Sequence, residues 1–394
     1  MKIVQINTTA ISGGTGRVCR GISKILDQRG IENYTLFTTG ASDSPSQIKY
    51  TTEREIKLQA LKSRIFGNYG FNSRAMTKRV IAQLDRIKPD IVHLHNLHGH
   101  NVNLEMLFKY FKENPQIKLF WTFHDCWTFT GYCPYYELTS CDKWKSQCKR
   151  CPQKKSFSWF FDKSTKLQVK KRELFESLDI TITTPSSWLA EVVKQTYFAK
   201  NEIKVIHNGV DLEMFKITES DFREKYGLQD KKIALGVAAN WGERKGLDVF
   251  IELSKRLPND YQIVLVGTNN KIDKLLPSNI ISVHRTEDKK ELAGLYTMAD
   301  VFVNPTRDEV FGLVNIEALA CGTPVITFNT GGSPECIDDT CGIVVDKNDV
   351  DTMEEAIKAA CEDKMFTKDA CVERAKMFDE KRKFNEYINL YIVR

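Results

Sequence analysis

Short apolar, β-branched runs alternate with amphipathic stretches along the whole chain, and this alternation restricts the fold more than any other feature. In the first half the strand candidates are residues 3–6, 33–38, 91–94, 119–123, 180–183 and 203–206, with helical patterns at 18–27 and 73–87 between them. Strands separated by helices of this length favour right-handed parallel βαβ units over hairpins. The second half restarts the rhythm at 232–239, 262–266, 280–284, 301–304, 324–328 and 342–345. The expected fold class is therefore α/β with two doubly wound domains, and in such sheets ligands bind at the carboxyl ends of the strands. With 394 residues, each half is long enough to bury its own core. The expected division is 1–210, then 211–375, then a charged helical segment, 376–394, that packs on either domain and could return to the first.

Charge and composition narrow the class of function. Lys plus Arg number 57 against 51 Asp plus Glu, a net charge of +6 that is too small and too mixed in sign to argue for nucleic acid. No uncharged apolar run approaches the ~20 residues that span a bilayer. The opening MKIVQINTTAISGGTG runs from strand-like residues straight into glycines, so no export leader is expected and the expected location is cytoplasmic. In a reducing compartment eleven cysteines read as thiols or metal ligands rather than disulfides.

The segment DEVFGLVNIEALACGTPVITF carries the most specific chemistry. Phe311 and Gly312 stand at a helix start, Gly322 suits the residue after the helix end, and Pro324 opens a strand. Backbone amides at Phe311, Gly312 and Leu313 would offer unpaired N–H groups and a positive dipole to phosphate. Glu309, in the preceding loop, can accept from sugar hydroxyls, and Glu317 from both hydroxyls of a ribose. Arg244 and Lys245 follow a strand ending Gly236-Val237-Ala238-Ala239-Asn240. A guanidinium binds phosphate bidentately and an ammonium acts as a point charge, so both suit a diphosphate whose charge grows as it leaves.

Glu309-x7-Glu317 followed by Ala318-x-Ala320-x-Gly322-x-Pro324-Val325 resembles the signature of the retaining glycosyltransferases of family 4, which have the GT-B fold of two facing Rossmann-like domains. Further matches are Gly13-Gly14-x-Gly16-Arg17, His124, Asn208-Gly209-Val210-Asp211, Arg244-Lys245-Gly246, Asp300-x-Phe302-x-Asn304-Pro305 and Gly331-Gly332-x-Pro334-Glu335. VHLHNLHG from Val92 and TFHDCW from Thr122 are similar to bacterial exopolysaccharide and colanic-acid-type members. The resemblance implies a nucleotide-diphosphate sugar donor, UDP-linked before GDP-linked, and a lipid-linked oligosaccharide acceptor on polyprenyl diphosphate. It implies donor contacts from Gly14, Gly16, Asn240, Arg244, Lys245, Glu309, Val310, Phe311, Gly312, Leu313 and Glu317. Acceptor contacts fall to Arg17 and His124, and His124, Arg244, Lys245 and Glu309 form the implied catalytic set. Transfer would retain configuration by a front-face path through an ion pair, since no carboxylate is placed as a nucleophile. No catalytic metal is expected, because no Asp-x-Asp pair accompanies the diphosphate residues. The Gly13–Arg17 turn lacks the spacing of a dinucleotide fingerprint. A silent subunit that binds a partner transferase and a sugar-nucleotide epimerase remain as alternatives, while a phosphorylase would need a pyridoxal-phosphate lysine pattern that is absent.

Two features stand outside that signature. Cys133-x7-Cys141-x6-Cys148-x2-Cys151 places four thiols within nineteen residues, beside Lys143, Lys145, Lys149 and Arg150. Four thiolates would satisfy a structural tetrahedral zinc, with an iron-sulfur cluster as the lesser alternative, in an insertion spanning about 126–160. The histidines at 93, 95, 98 and 100 look like a metal tract, yet alternation on a strand end puts Val92 and Leu94 on the opposite face. Between Arg54 and Lys88 nine basic residues face two acids, with Phe66, Tyr69 and Phe71 among them, a composition compatible either with an anionic membrane surface or with a solvated helical face.

Overall fold

The computed structural model describes residues 1–393. It separates into two compact units: residues 1–207 together with the chain's end from Lys383, and residues 208–382.

The first unit is built on β1 (Lys2–Ile6), β2 (Glu32–Phe37), β3 (Gln47–Lys49), β4 (Ile91–Leu94), β5 (Lys118–Thr122), β6 (Ile180–Thr184) and β7 (Ile203–Val205). All pair parallel in the order β3-β2-β1-β4-β5-β6-β7, so the strand order reverses beside β1. There Ile3 lies opposite Asn33 on one side and Ile91 on the other. The edge strand β3 is absent from the sequence expectation, since three residues with one apolar side chain give no periodicity to read. The helix Gly13–Gln28 buries Val18, Cys19, Ile22, Ile25 and Leu26, a three-to-four-residue spacing that presses one stripe against the sheet.

The residues expected to form a glycine turn, Gly13 to Arg17, are instead the first turn of this helix, with Ser12 as its extended N-cap. Gly16 faces the preceding turn, where a Cβ would lie 2.7 Å from Thr9 Oγ1 and 3.0 Å from the Ile11 carbonyl carbon. Close packing therefore accounts for a glycine at this position, whereas a Cβ on Gly14 would meet nothing.

The second unit contains β8 (Lys232–Val237), β9 (Tyr261–Val266), β10 (Ile280–Val283), β11 (Val301–Asn304), β12 (Val325–Phe328) and β13 (Gly342–Val345). Their order, β10-β9-β8-β11-β12-β13, puts the reversal between β8 and β11. Apolar clusters line both faces: Phe302, Ile316, Leu319 and Phe378 belong to one, Phe250, Leu253, Ile326 and Ile357 to the other. Strands buried on both faces read as continuous apolar runs, which is how they were legible.

The boundary falls at Asn208, three residues before the expected one. Val210 pairs with Asp379 as an isolated bridge: its amide donates to Phe378 O (2.9 Å) and its carbonyl accepts from Glu380 N (3.0 Å). These bonds hold residues 208–211 in the second unit. The helix Lys368–Lys376 lies there too, while Glu380–Val393 starts in the second unit and ends in the first. Phe384, Tyr387, Ile388 and Tyr391 join Ile3, Val18, Ile22 and Phe120 in one core cluster. Among the described residues no helix is long and apolar enough to cross a membrane.

A Cβ on Gly21 would lie 1.9 Å from the Phe384 ring, which is itself buried. Gly21→Ala is expected to destabilise the first unit by about 1–3 kcal/mol through overpacking, despite alanine's better helix propensity. Urea unfolding checks this, and pairing with Phe384→Leu should recover part of the loss.

Candidate active site

The turn after β8 and the loop after β11 are bonded together at the switch point of the second unit. The turn Glu243–Lys245 precedes the helix Leu247–Arg256. Arg307 N donates to Arg244 O (2.9 Å), and Arg244 Nη1 donates to Asp308 O (3.0 Å). Lys245 Nζ meets Glu309 Oε2 at 2.5 Å, with the two side chains only 17% and 18% exposed. A fork of two bonds from Arg307 to Asp248 (2.7 and 2.6 Å) ties the loop to the helix. Gly246 has φ +71°, and a Cβ there would lie 2.4 Å from Pro305 O, so the two segments touch only because this residue is glycine.

Burial, the largest influence on Glu309, raises its carboxyl pKa. The charge and hydrogen bond of Lys245, the charge of Arg244 and the Val310 amide outweigh it, so the group stays below the usual glutamate range and ionised.

The helix Leu313–Ala320 begins directly after this loop, with Gly312 as an N-cap that supplies no side-chain bond. Val310 and Phe311 point inward, and the Phe311 ring packs on Phe378 at 5.7 Å, so this stretch has its backbone rather than those side chains to offer a ligand. A buried polar chain fixes the helix start: Asn304 Nδ2 donates to Asn315 Oδ1 (2.7 Å), and Asn315 Nδ2 to Ser333 Oγ (2.9 Å). Ser333 Oγ also bonds Thr327 Oγ1 at 2.7 Å. Asn304 belongs to a matching motif, but Asn315, Ser333 and Thr327 do not stand out in the sequence, where each is an isolated polar residue. Glu317, in the same helix, is 4% exposed and its Oε2 accepts from the Tyr296 hydroxyl (3.2 Å), a partner twenty-one residues away. Asn240 is exposed after the end of β8.

In the first unit the polar side chains gather at the ends of β1, β4 and β5. Gln5 Nε2 donates to Cys19 O (3.0 Å) and lies 2.9 Å from Ser23 Oγ, which turns Gln5 Oε1 toward His95 Nε2 (3.1 Å). His95 Nε2 must then carry the proton, so His95 Nδ1 accepts from His124 Nε2 (3.0 Å), and Nδ1 is the unprotonated nitrogen of His124. The two rings stack with centroids 5.3 Å apart. Desolvation brings His124 down to about 4 and His93 to about 3, and it holds His95 well below the usual range. All three rings are neutral at physiological pH.

His98 joins Asp125 through Nε2–Oδ2 at 2.7 Å, a pair twenty-seven residues apart that sequence spacing does not disclose. Asp125 is also held by the Trp127 amide (2.9 Å). His100 bonds Ser63 instead (3.1 Å), so the four tract histidines point to different partners. Arg17 is exposed on the first helix.

Cys133, Cys141, Cys148 and Cys151 line one small apolar cavity beneath Tyr136 and Trp144. All four are free thiols. Among the described residues no group of three or more His, Cys, Asp or Glu is arranged to hold a metal ion. Burial raises the Cys133 thiol to about 12 and Cys151 to about 11. Behind them the fully buried Lys171 donates to Trp127 O (2.5 Å) and lies over the Trp127 ring at 4.2 Å; desolvation brings its pKa to about 7.

The second sheet thus carries a cation–carboxylate pair on its switch-point loops, and the first a histidine cluster. Comparison with known proteins gives the class, a glycosyltransferase. Residues 12–214 match the model of Glycosyltransferase Family 4, and residues 218–382 that of Glycosyl transferases group 1. The chain belongs to glycosyltransferase family 4. It is 24% identical over 373 residues, covering 89% of this chain and 88% of the other, to WcaC of Escherichia coli (strain K12), a glycosyl transferase assigned to colanic acid biosynthesis. Among solved structures, the sucrose-phosphate synthase of Thermosynechococcus elongatus superposes with a TM-score of 0.73 at 18% identity, covering 99% of this chain and 98% of that one. Anabaena HepE, in complex with UDP and glucose, gives 0.69 at 16% identity, with full coverage of both chains (100%). These likenesses establish the two-domain α/β GT-B fold.

The neutral histidines generate a pH prediction. Above about pH 6.5 they are uncharged in both the folded and the unfolded chain; as pH falls toward 4 the unfolded chain takes up protons that the folded one refuses. Stability is therefore complete above about 6.5 and declines below it, by up to about 1.4 kcal/mol per pH unit for each histidine. Urea titrations across this range should show the decline, and a flat profile would contradict neutral burial.

Proposed function

We propose that the chain moves a hexosyl unit from a UDP-sugar to a hydroxyl of a lipid-linked oligosaccharide, with retention of configuration, in bacterial surface-polysaccharide assembly at the cytoplasmic face of a membrane. The observation that carries the reading is the Arg244, Lys245 and Glu309 constellation, held by the 2.5 Å Lys245–Glu309 contact beside the start of the helix Leu313–Ala320. Two cations and a helix N-terminus suit a diphosphate, and an ionised carboxylate among them suits sugar hydroxyls. The likeness to WcaC supports the polysaccharide context, and the UDP and glucose in HepE favour uridine over guanosine.

In this reading Lys245 and Arg244 hold the diphosphate and stabilise the charge that builds on it as the bond to the sugar breaks, an interaction stronger in the transition state than in the ground state. The acceptor hydroxyl attacks the anomeric carbon from the face the diphosphate leaves, and its proton passes to a diphosphate oxygen. Glu309 accepts from the hydroxyls of the sugar, and Glu317, oriented by Tyr296, from the ribose. The backbone near Gly312 and Leu313 takes a phosphate, with Asn240, Val310, Gly14 and Gly16 as further donor contacts. His124 offers its unprotonated Nδ1 to a hydroxyl of the transferred sugar or acceptor, and Arg17 holds an acceptor phosphate.

A thermal-shift titration with UDP, GDP and ADP tests the donor site. Saturating ligand at about 100 times its dissociation constant should stabilise by about 2.7 kcal/mol. UDP is expected to raise the melting temperature of the wild type and to do so much less for Glu317→Gln, which keeps an acceptor for Tyr296. A full UDP shift in that variant would remove Glu317 from the ribose, and a shift with GDP alone would change the base. Lys245→Gln, which retains a donor to Glu309 without the charge, should lower kcat by about 10²–10³-fold with its ligand-free melting temperature little changed.

A further inference from the structure

Beyond the carboxyl ends of β4 and β5 the first unit holds a small cavity of about 10 Å³, whose lining includes Asn96, His98, His124, Asp125, Trp127 and Thr128. A space of that size takes one water or one hydroxyl group. Trp127 is 1% exposed and Thr128 5%, yet Trp127 Nε1 and Thr128 Oγ1 have no hydrogen-bond partner among the described residues. Buried polar groups are ordinarily paired, and an unpaired one costs about 1–3 kcal/mol. Two of them at one cavity leave an N–H and a hydroxyl to be satisfied from outside the chain.

The two histidines of the lining supply acceptors. His124 Nδ1 is unprotonated, as the chain of bonds from Gln5 requires. His98 is set by a different partner. Burial raises the Asp125 carboxyl, but the charge and hydrogen bond of His98 and the Trp127 amide outweigh it and hold the group below the usual aspartate range. Asp125 Oδ2 therefore accepts from His98 Nε2 (2.7 Å), which leaves Nδ1 as the acceptor of the neutral ring. The contact of that nitrogen with the Tyr69 hydroxyl is 3.5 Å long, at the limit of a hydrogen bond, and the same hydroxyl accepts from the Gly99 amide (3.1 Å). His93 and His95 are buried, whereas His98 keeps 21% of its side chain exposed, so it can be reached from solvent. Lys171 Nζ, bonded to Trp127 O, and the Trp127 amide on Asp125 fix the turn in advance.

We infer that this cavity receives one hydroxyl of a saccharide, with His98 as a residue that contacts it and Asp125 as the positioning residue that fixes the His98 ring. A hydroxyl both donates and accepts, so it can give its proton to an imidazole nitrogen and accept from an unpaired N–H. A phosphate would bring negative charge beside the Asp125 carboxylate and no proton for the imidazoles. Water fits the same space, and the experiment separates the two. That the hydroxyl belongs to the acceptor sugar rests on the transferase reading; the saccharide site itself does not.

The test is nitrogen-15 NMR of the seven histidines in the full chain, at about pH 8, above the ordinary histidine range. The probes are the methyl glycosides of glucose, galactose, mannose and N-acetylglucosamine, each with and without UDP. The wild type should show His98 protonated at Nε2, and at least one sugar should shift the signals of His98 and His124. His98→Gln keeps an N–H for Asp125 and removes the Nδ1 acceptor, and its missing signal assigns the ring. It should weaken binding of that sugar, read at His124, about five- to tenfold, with the ligand-free melting temperature and the UDP response unchanged. Asp125→Asn turns a donor toward Nε2 and should move the His98 proton to Nδ1, with the same loss of sugar binding. No shift with any of the sugars, which would leave water as the occupant, would overturn the inference. So would a response undiminished in His98→Gln, or a wild-type His98 protonated at Nδ1. Sugar binding by a chain that UDP does not stabilise would uphold the site and remove the transferase reading, so the two fail separately.

Discussion

A parallel strand has no hairpin to return it, so every strand in both sheets must be followed by a crossover, and the segments leaving the carboxyl ends all emerge along one edge. Both candidate clusters follow from that constraint. Arg244, Lys245 and Glu309 lie on segments that leave β8 and β11, the neighbours at which the strand order of the second sheet reverses. His95 directly follows β4, and His124 comes two residues after β5, in the first sheet. Residues distant in sequence meet because strand order, not chain order, decides which loops are adjacent.

The electrostatics of the second unit follow from how closely those loops approach. With Gly246 against Pro305, the Lys245 ammonium and the Glu309 carboxylate come together partly shielded from water. Such a pair carries a desolvation cost that its mutual attraction offsets only with good geometry and further hydrogen bonds, here from Val310 and the nearby Arg244 charge. A polar substrate that offers phosphate to the cations and hydroxyls to the carboxylate would satisfy the same groups. In the first unit the burial of His93, His95 and His124 has the opposite result: the rings keep no charge, and His95 and His124 form a relay of single hydrogen bonds whose direction Gln5 sets.

Much of this organisation is visible in the sequence because parallel strands covered on both faces must be continuously apolar. Residues 91–94 and 325–328 could be read directly for that reason, whereas β3 could not. The family signature pointed to Glu309, Glu317 and the Arg244–Lys245 pair. It could not supply their partners, because Tyr296, Asn315 and Ser333 are ordinary residues until folding brings them together. Glycines misled at Gly13 to Arg17, where close packing of a helix start looks like a loop when only composition is visible. The cysteine spacing led to one place, a small cavity that all four thiols line.

The path of the chain's end carries a consequence for how the protein is made. From Lys383 the chain leaves the second unit, and Phe384, Tyr387, Ile388 and Tyr391 complete a core begun by Ile3 and Val18. On the ribosome the first unit therefore emerges early with that part of its core uncovered, and it waits through the synthesis of the entire second unit before its final helix arrives. The unit translated first is thus completed by residues that follow the whole of the second.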